Sequence, residues 1–182
     1  FRTYTPAVWE GVEPCADLTL TAFNAMYFNV KWGSVTKSVR VGFNETKTMT
    51  APEGMQFNDT ETIIYGASLI ASLGDLSPLY PGTVDVSKMS RLKELIVGSG
   101  GEGYQNRNLH SLSIGTNRML KKLDVRNCPD YSEPIELRNC TNIEEIYAQG
   151  TAITAVNLPE GGNLAKLYLP GTITNLTLKN LS

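Results

Sequence analysis

The chain carries a single histidine, His110, and three cysteines, Cys15, Cys128 and Cys140. A zinc site built from clustered Cys and His ligands lacks parts here, and so does most histidine-based acid–base machinery. Cysteines spaced 113 and 12 residues apart, and odd in number, form no disulfide framework. Cys128 and Cys140 are expected as small buried corner residues rather than a redox pair or a metal site. His110 stands beside Ser111 and close to Ser113, but no nucleophile elbow surrounds them, so no hydrolytic triad is expected. Gly98, Gly100, Gly101 and Gly103 hint at a phosphate cradle, yet no Gly-Lys-Ser/Thr follows and no strand-then-helix context surrounds them. A loop inserted between regular elements accounts for them better. Two sets of residues remain that could do chemistry. Asp124 and Glu145 could form a glycosidase-type carboxylate pair, which requires a separation of roughly 5–10 Å in a cleft. Tyr147 and Tyr168 offer flat apolar rings with hydroxyls, suited to a sugar or a partner protein.

What would position these residues is a repeat. Leu123-Asp124-Val125-Arg126-Asn127-Cys128 is echoed twelve residues later by Ile135-Glu136-Leu137-Arg138-Asn139-Cys140. Short apolar–polar–apolar triplets with the period of a strand recur in two alternating series. The first ends at Val97, Val125, Ala148 and Leu169, with spacings of 28, 23 and 21. The second ends at Val86, Ile114, Leu137, Leu158 and Leu178, with spacings of 28, 23, 21 and 20. The two series shrink together, as a coil with two short strands per turn requires. Stacking of the first series in register, about 4.8 Å per strand, would lay Glu94, Lys122, Glu145 and Lys166 in one ladder of alternating charge. It would lay Ile96, Asp124, Tyr147 and Tyr168 in another, the expected binding surface. In such a ladder Glu145 is flanked by two lysines, which fits a solvated ion-paired face better than a catalytic cleft.

The first part of the chain differs. Leu18–Phe23, Ala25–Trp32 and Val35–Val41 are β-branched and aromatic, with Gly33-Ser34 placed like a hairpin turn. A small antiparallel β unit is expected over 1–62, beginning or capping a coil over 63–182. Trp9 and Trp32 fall in that unit, and Ala67–Leu73 reads as a short helix or an irregular first turn.

Composition sets the outer limits. With 182 residues, 41% hydrophobic and 19% charged, the chain is long enough for a packed core and too mixed for disorder. Sixteen basic against eighteen acidic residues give a net charge of −2, which argues against nucleic acid or an anionic membrane as partner. No apolar run reaches the roughly 18–20 residues of a spanning helix. The sequence opens at Phe1 without an initiator Met and stops in mid-pattern, which reads as a piece of a longer chain. An exposed last coil would then either continue or self-associate, so a homo-oligomer is a possible state.

Leu92, Leu120, Ile143 and Leu164, each three before a central apolar residue of the first series, complete an L-x-x-L-x-V pattern, the strand signature of leucine-rich repeats. Asn139–Tyr147 resembles the irregular leucine-rich repeats of bacterial surface proteins. Gly74–Leu79, Glu94–Gly98, Ile143–Ala148 and Leu167–Thr177 together resemble repeat regions of large tail-associated structural proteins of gut bacteriophages and prophages, over roughly residues 58–182. That resemblance implies a virion or tail-appendage protein with no catalytic role, contacting other virion proteins or a host-surface protein or glycan.

The expectation is therefore an all-β, irregular leucine-rich-repeat solenoid behind a small antiparallel unit, a non-enzymatic structural or adhesive module without metal or cofactor. A secreted or surface-attached bacterial adhesin is the alternative. A polysaccharide-degrading β-solenoid enzyme is the third reading.

Overall fold

The alternation of Asp17–Ala22 is realised directly: in the computed structural model this segment is strand β2, and it buries Leu18, Leu20 and Ala22. The structure describes residues 2–5, 17–50, 52 and 60–178; Cys15 and Trp9 lie outside them. Strand β1 is Arg2–Thr5, β3 Met26–Trp32, β4 Val35–Val41, β5 Thr46–Thr50, β6 Thr60–Tyr65 and β7 Ile70–Leu73. The hairpin between β3 and β4 pairs Trp32 with Val35 across Gly33-Ser34. Gly33 takes φ 53, the left-handed conformation that a two-residue hairpin demands. Ala67–Leu69 forms a single 3-10 turn leading into β7, so the ambiguous segment is a turn and then a strand.

After a second 3-10 turn at Ser77–Leu79 the strands become very short. They are β8 Thr83–Asp85, β9 Glu94–Ile96, β10 Ser111–Ser113, β11 Lys122–Asp124, β12 Ile135–Glu136, β13 Glu145–Tyr147, β14 Ala155–Asn157, β15 Lys166–Tyr168 and β16 Asn175–Leu176. The chain is all-β: among the described residues there is no α-helix, and none long and apolar enough to cross a membrane.

Strands β9, β11, β13 and β15 form one parallel sheet, and its register sets Leu95, Leu123, Ile146 and Leu167 over one another. Pairing continues past the strand ends, where the amides of Val97, Val125 and Ala148 donate to the carbonyls of Asp124, Tyr147 and Tyr168. Residues spaced 28, 23 and 21 apart are thus adjacent in space.

The other series is less regular. Strands β8 and β10 pair in parallel and join the sheet of β1, β6, β3 and β4, whereas β12, β14 and β16 form a separate parallel sheet. Between β10 and β12 the ladder stops. In the register used elsewhere, where the Ser111 amide reaches the Gly82 carbonyl, Pro134 occupies the donor position for the His110 carbonyl. Proline has no N–H to give.

Among the described residues one apolar core runs from Leu18 through Phe28, Val30 and Trp32 to Leu95, Leu123, Ile146 and Val156. Full burial of each such side chain contributes about 1.5–3 kcal/mol. Strand β6 spans the division expected at 62/63, and β1 pairs with both β6 and β8. The antiparallel part is therefore hydrogen-bonded directly to the first of the parallel rungs. Leu164, Leu167 and Leu169 in the last rung of the first series are only half-buried.

Candidate functional site

The outward side chains of the β9–β11–β13–β15 sheet stand in two columns. The first places Glu94 beside Lys122, Lys122 beside Glu145 and Glu145 beside Lys166. Lys166 Nζ reaches Glu145 Oε1 at 2.7 Å, and the Tyr147 hydroxyl donates to Glu145 Oε2 at 3.0 Å. One residue earlier, Lys121 Nζ meets Glu144 Oε1 at 2.6 Å, repeating the pattern at the strand entrance. The Lys166 ammonium, and after it the Tyr147 hydroxyl, hold the Glu145 carboxyl below the usual carboxylate range. A group with a depressed folded-state pKa contributes stability above its unfolded value of about 4.3, and that contribution is lost as pH falls through the folded value. Replacing Lys166 with methionine should therefore move the Glu145 titration up toward the ordinary range. Carbon-13 detection of the Glu145 carboxyl measures this, and an unmoved titration would show that the pair does not form in solution.

The second column runs Ile96, Asp124, Tyr147, Tyr168. The two tyrosine rings stack with centroids 5.3 Å apart and planes 14° from parallel. Cations of β11 and its following turn lie against Tyr147, with Arg126 Cζ 4.8 Å and Lys122 Nζ 5.8 Å from the ring centroid. They approach from the β11 side, whereas Tyr168 approaches from the β15 side. Both faces of Tyr147 are thereby occupied, and what remains for a partner is the ring edges and the open outer face of Tyr168.

Asp124 departs from the sequence expectation. It is only 2% exposed, folded onto Arg126. Arg126 Nη2 donates to Asp124 Oδ2 at 2.6 Å, Nε bridges both carboxylate oxygens, and the Arg126 amide donates to Oδ1 at 3.1 Å. The glycine-rich insertion seals this pair. Gly98 packs on the backbone of Val125 and Arg126, and Gly100 lies against the guanidinium. Tyr104 pins the loop from beneath: its hydroxyl donates to the Ser77 and Val97 carbonyls, and its ring stacks on Tyr80 at 5.3 Å. Strand β10 follows the loop, with no helix to cradle a phosphate. Ile96 is half-buried. Tyr147 and Tyr168 are therefore brought together, whereas Asp124 is withdrawn from any ligand.

The carboxylate pair loses its chemical rationale for the same reason. Asp124 is committed to Arg126 and Glu145 to Lys166, each by direct hydrogen bonds. The exposed His110 ring donates through Nδ1 to the Asn108 carbonyl at 2.9 Å, and no hydrogen bond joins it to Ser111 or Ser113.

Cys128 and Cys140 are both buried and free. Burial pushes the Cys128 thiol up to about 12 and raises that of Cys140 as well. In a Cys15→Ser variant, neither thiol should react with a disulfide reagent at about pH 8 until the chain is unfolded in guanidinium chloride. Rapid reaction of the native protein would contradict this burial.

One groove, about 540 Å³ and lined by Arg138, Asn157, Pro159, Glu160 and Thr177 among others, lies on the β12–β14–β16 sheet rather than beside the tyrosines.

No protein-family model, curated protein or solved structure matches this chain.

Proposed function

We propose that the chain is a non-enzymatic structural or adhesive module whose parallel rungs form an irregular leucine-rich-repeat solenoid, offering an extended surface to a protein or a glycan. The observation that carries this reading is the in-register column on β9–β11–β13–β15, which ends in the stacked pair Tyr147 and Tyr168. A surface of this kind places recognition groups at the fixed spacing of neighbouring strands and needs no cleft. The commitment of Asp124 and Glu145 to their own cations supports a binding role over hydrolysis. The setting, a bacteriophage tail or virion appendage, rests on the resemblance of residues 58–182 to tail-associated repeat regions.

A glycan array and a panel of host-surface proteins, probed with the native chain and with a Tyr147→Ala/Tyr168→Ala variant, test the reading. It requires at least one ligand bound by the native chain and lost by the variant while the far-ultraviolet circular dichroism is unchanged. Hydrolysis of any glycan on the array, or ligand binding indifferent to both substitutions, would overturn it.

A further inference from the structure

Tyr27 and Tyr65 are more exposed than the stacked pair, at 66% and 51% against 47% for Tyr168. The strand register puts them on one face. Phe28, Val30 and Trp32 of β3 point into the core, so Tyr27, Asn29 and Lys31 point out. Across the hairpin, Arg40 stands opposite Tyr27 and Ser38 opposite Asn29; on the other side, Tyr65 of β6 stands opposite Asn29. The Ser38 hydroxyl donates to Asn29 Oδ1 at 2.7 Å, which fixes the orientation of that amide beside Tyr27 and opposite Tyr65. Lys47 Nζ donates to the Arg40 carbonyl at 3.2 Å and adds a third cation nearby. Neither Arg40 nor Lys31 has an ion-pair partner among the described residues, although Glu61 shares this face at the turn end of β6.

The geometry points to the outward face of β3, β4 and β6 as a binding site for an acidic glycan. Flat rings that are not stacked on each other keep their faces for pyranose rings. An oriented amide suits sugar hydroxyls, and unpaired cations beside the rings suit uronate carboxylates. An acidic glycan gains charge attraction at Arg40 and Lys31 that a neutral one lacks, and an apolar protein surface would have to desolvate both. The site lies on a different sheet from Tyr147 and Tyr168, so it goes beyond the role proposed for the parallel stack and stands or falls separately.

Calorimetric titration of the native chain with tetragalacturonate, and with maltotetraose as the neutral counterpart, tests it. Binding should be confined to the acidic oligosaccharide and should weaken at higher salt. Tyr27→Ala and Arg40→Ala should each weaken it about tenfold or more, and Tyr168→Ala should leave it unchanged. If Tyr27→Ala disturbs the hairpin, Tyr27→Leu keeps an apolar side chain without an aromatic face and reads the same effect. The proposal is overturned if neither oligosaccharide binds, if both bind equally, or if replacing Tyr27 has no effect, since binding would then be charge attraction alone. Loss of binding through Tyr168→Ala would overturn it too and would move the ligand to the parallel stack.

Discussion

Replacing Gly98 with alanine is expected to cost about 3 kcal/mol or more of stability, the upper range for a single overpacking substitution. A Cβ at this position would lie 2.1 Å from the Arg126 carbonyl oxygen, 2.5 Å from the Arg126 nitrogen and 2.6 Å from the Val125 carbonyl carbon. All three are backbone atoms, so no change of rotamer relieves the clash. The only relief is to move the first turn of the glycine loop off the rung beneath it, which also lifts the loop from the Asp124–Arg126 pair. Denaturant unfolding reads the effect as a lower midpoint at unchanged slope, and thermal unfolding as a fall of roughly 6–12 °C for a chain of this size. Gly171→Ala is the matched control, because nothing lies within 4 Å of a Cβ there. It should stay within about 0.5 kcal/mol of the native chain. Equal stability of the two variants would mean that the loop does not approach β11 as described.

Arg126→Ala should have an effect of similar size by a different route. It strips Asp124 of its guanidinium partner while the carboxylate, 2% exposed, stays where water reaches it poorly. Breaking one side of a buried ion pair costs about 3–5 kcal/mol, and the lower end applies here because Arg126 itself is one-third exposed and the Arg126 amide still donates to Asp124. Arg126→Lys keeps the charge but not the fork that holds both oxygens, so it should fall between the two. Removing both partners as Asp124→Ala/Arg126→Ala should cost clearly less than the sum of the single changes, because no orphaned charge remains. Strict additivity in that cycle would show that the two side chains act independently.

Much of this architecture is legible in residue spacing. The triplets ending at Val97, Val125, Ala148 and Leu169 place β9, β11, β13 and β15 to within a residue, and the Glu94–Lys122–Glu145–Lys166 column follows from the same register. The contact of Tyr147 with Tyr168 is legible for the same reason, since a period-two strand leaves its middle residue outward. Three features are not given by the apolar spacing alone. Asp124 occupies an outward position in the pattern, yet it is 2% exposed, folded under an Arg126 side chain against which the 98–103 loop packs. The repeated acid-x-Arg unit was the available signal. Its second copy, Glu136 and Arg138, pairs at 3.8 Å on an open face because no loop covers it. The break between β10 and β12 turns on Pro134, a residue easily read as one more turn proline. The joining of β1 to β8 is a long-range antiparallel pairing, and local alternation in Arg2–Thr5 does not identify its partner.

In the latter half of the chain, residues 21 to 28 positions apart lie directly over one another. Methyl-labelled nuclear Overhauser spectroscopy tests it most directly, on a sample carrying labelled Leu, Ile and Val. Stacked strands give an unbroken series of contacts from Leu95 to Leu123, from Leu123 to Ile146 and from Ile146 to Leu167. A well-dispersed spectrum of the folded chain in which those methyl groups show contacts only to sequence neighbours would contradict it.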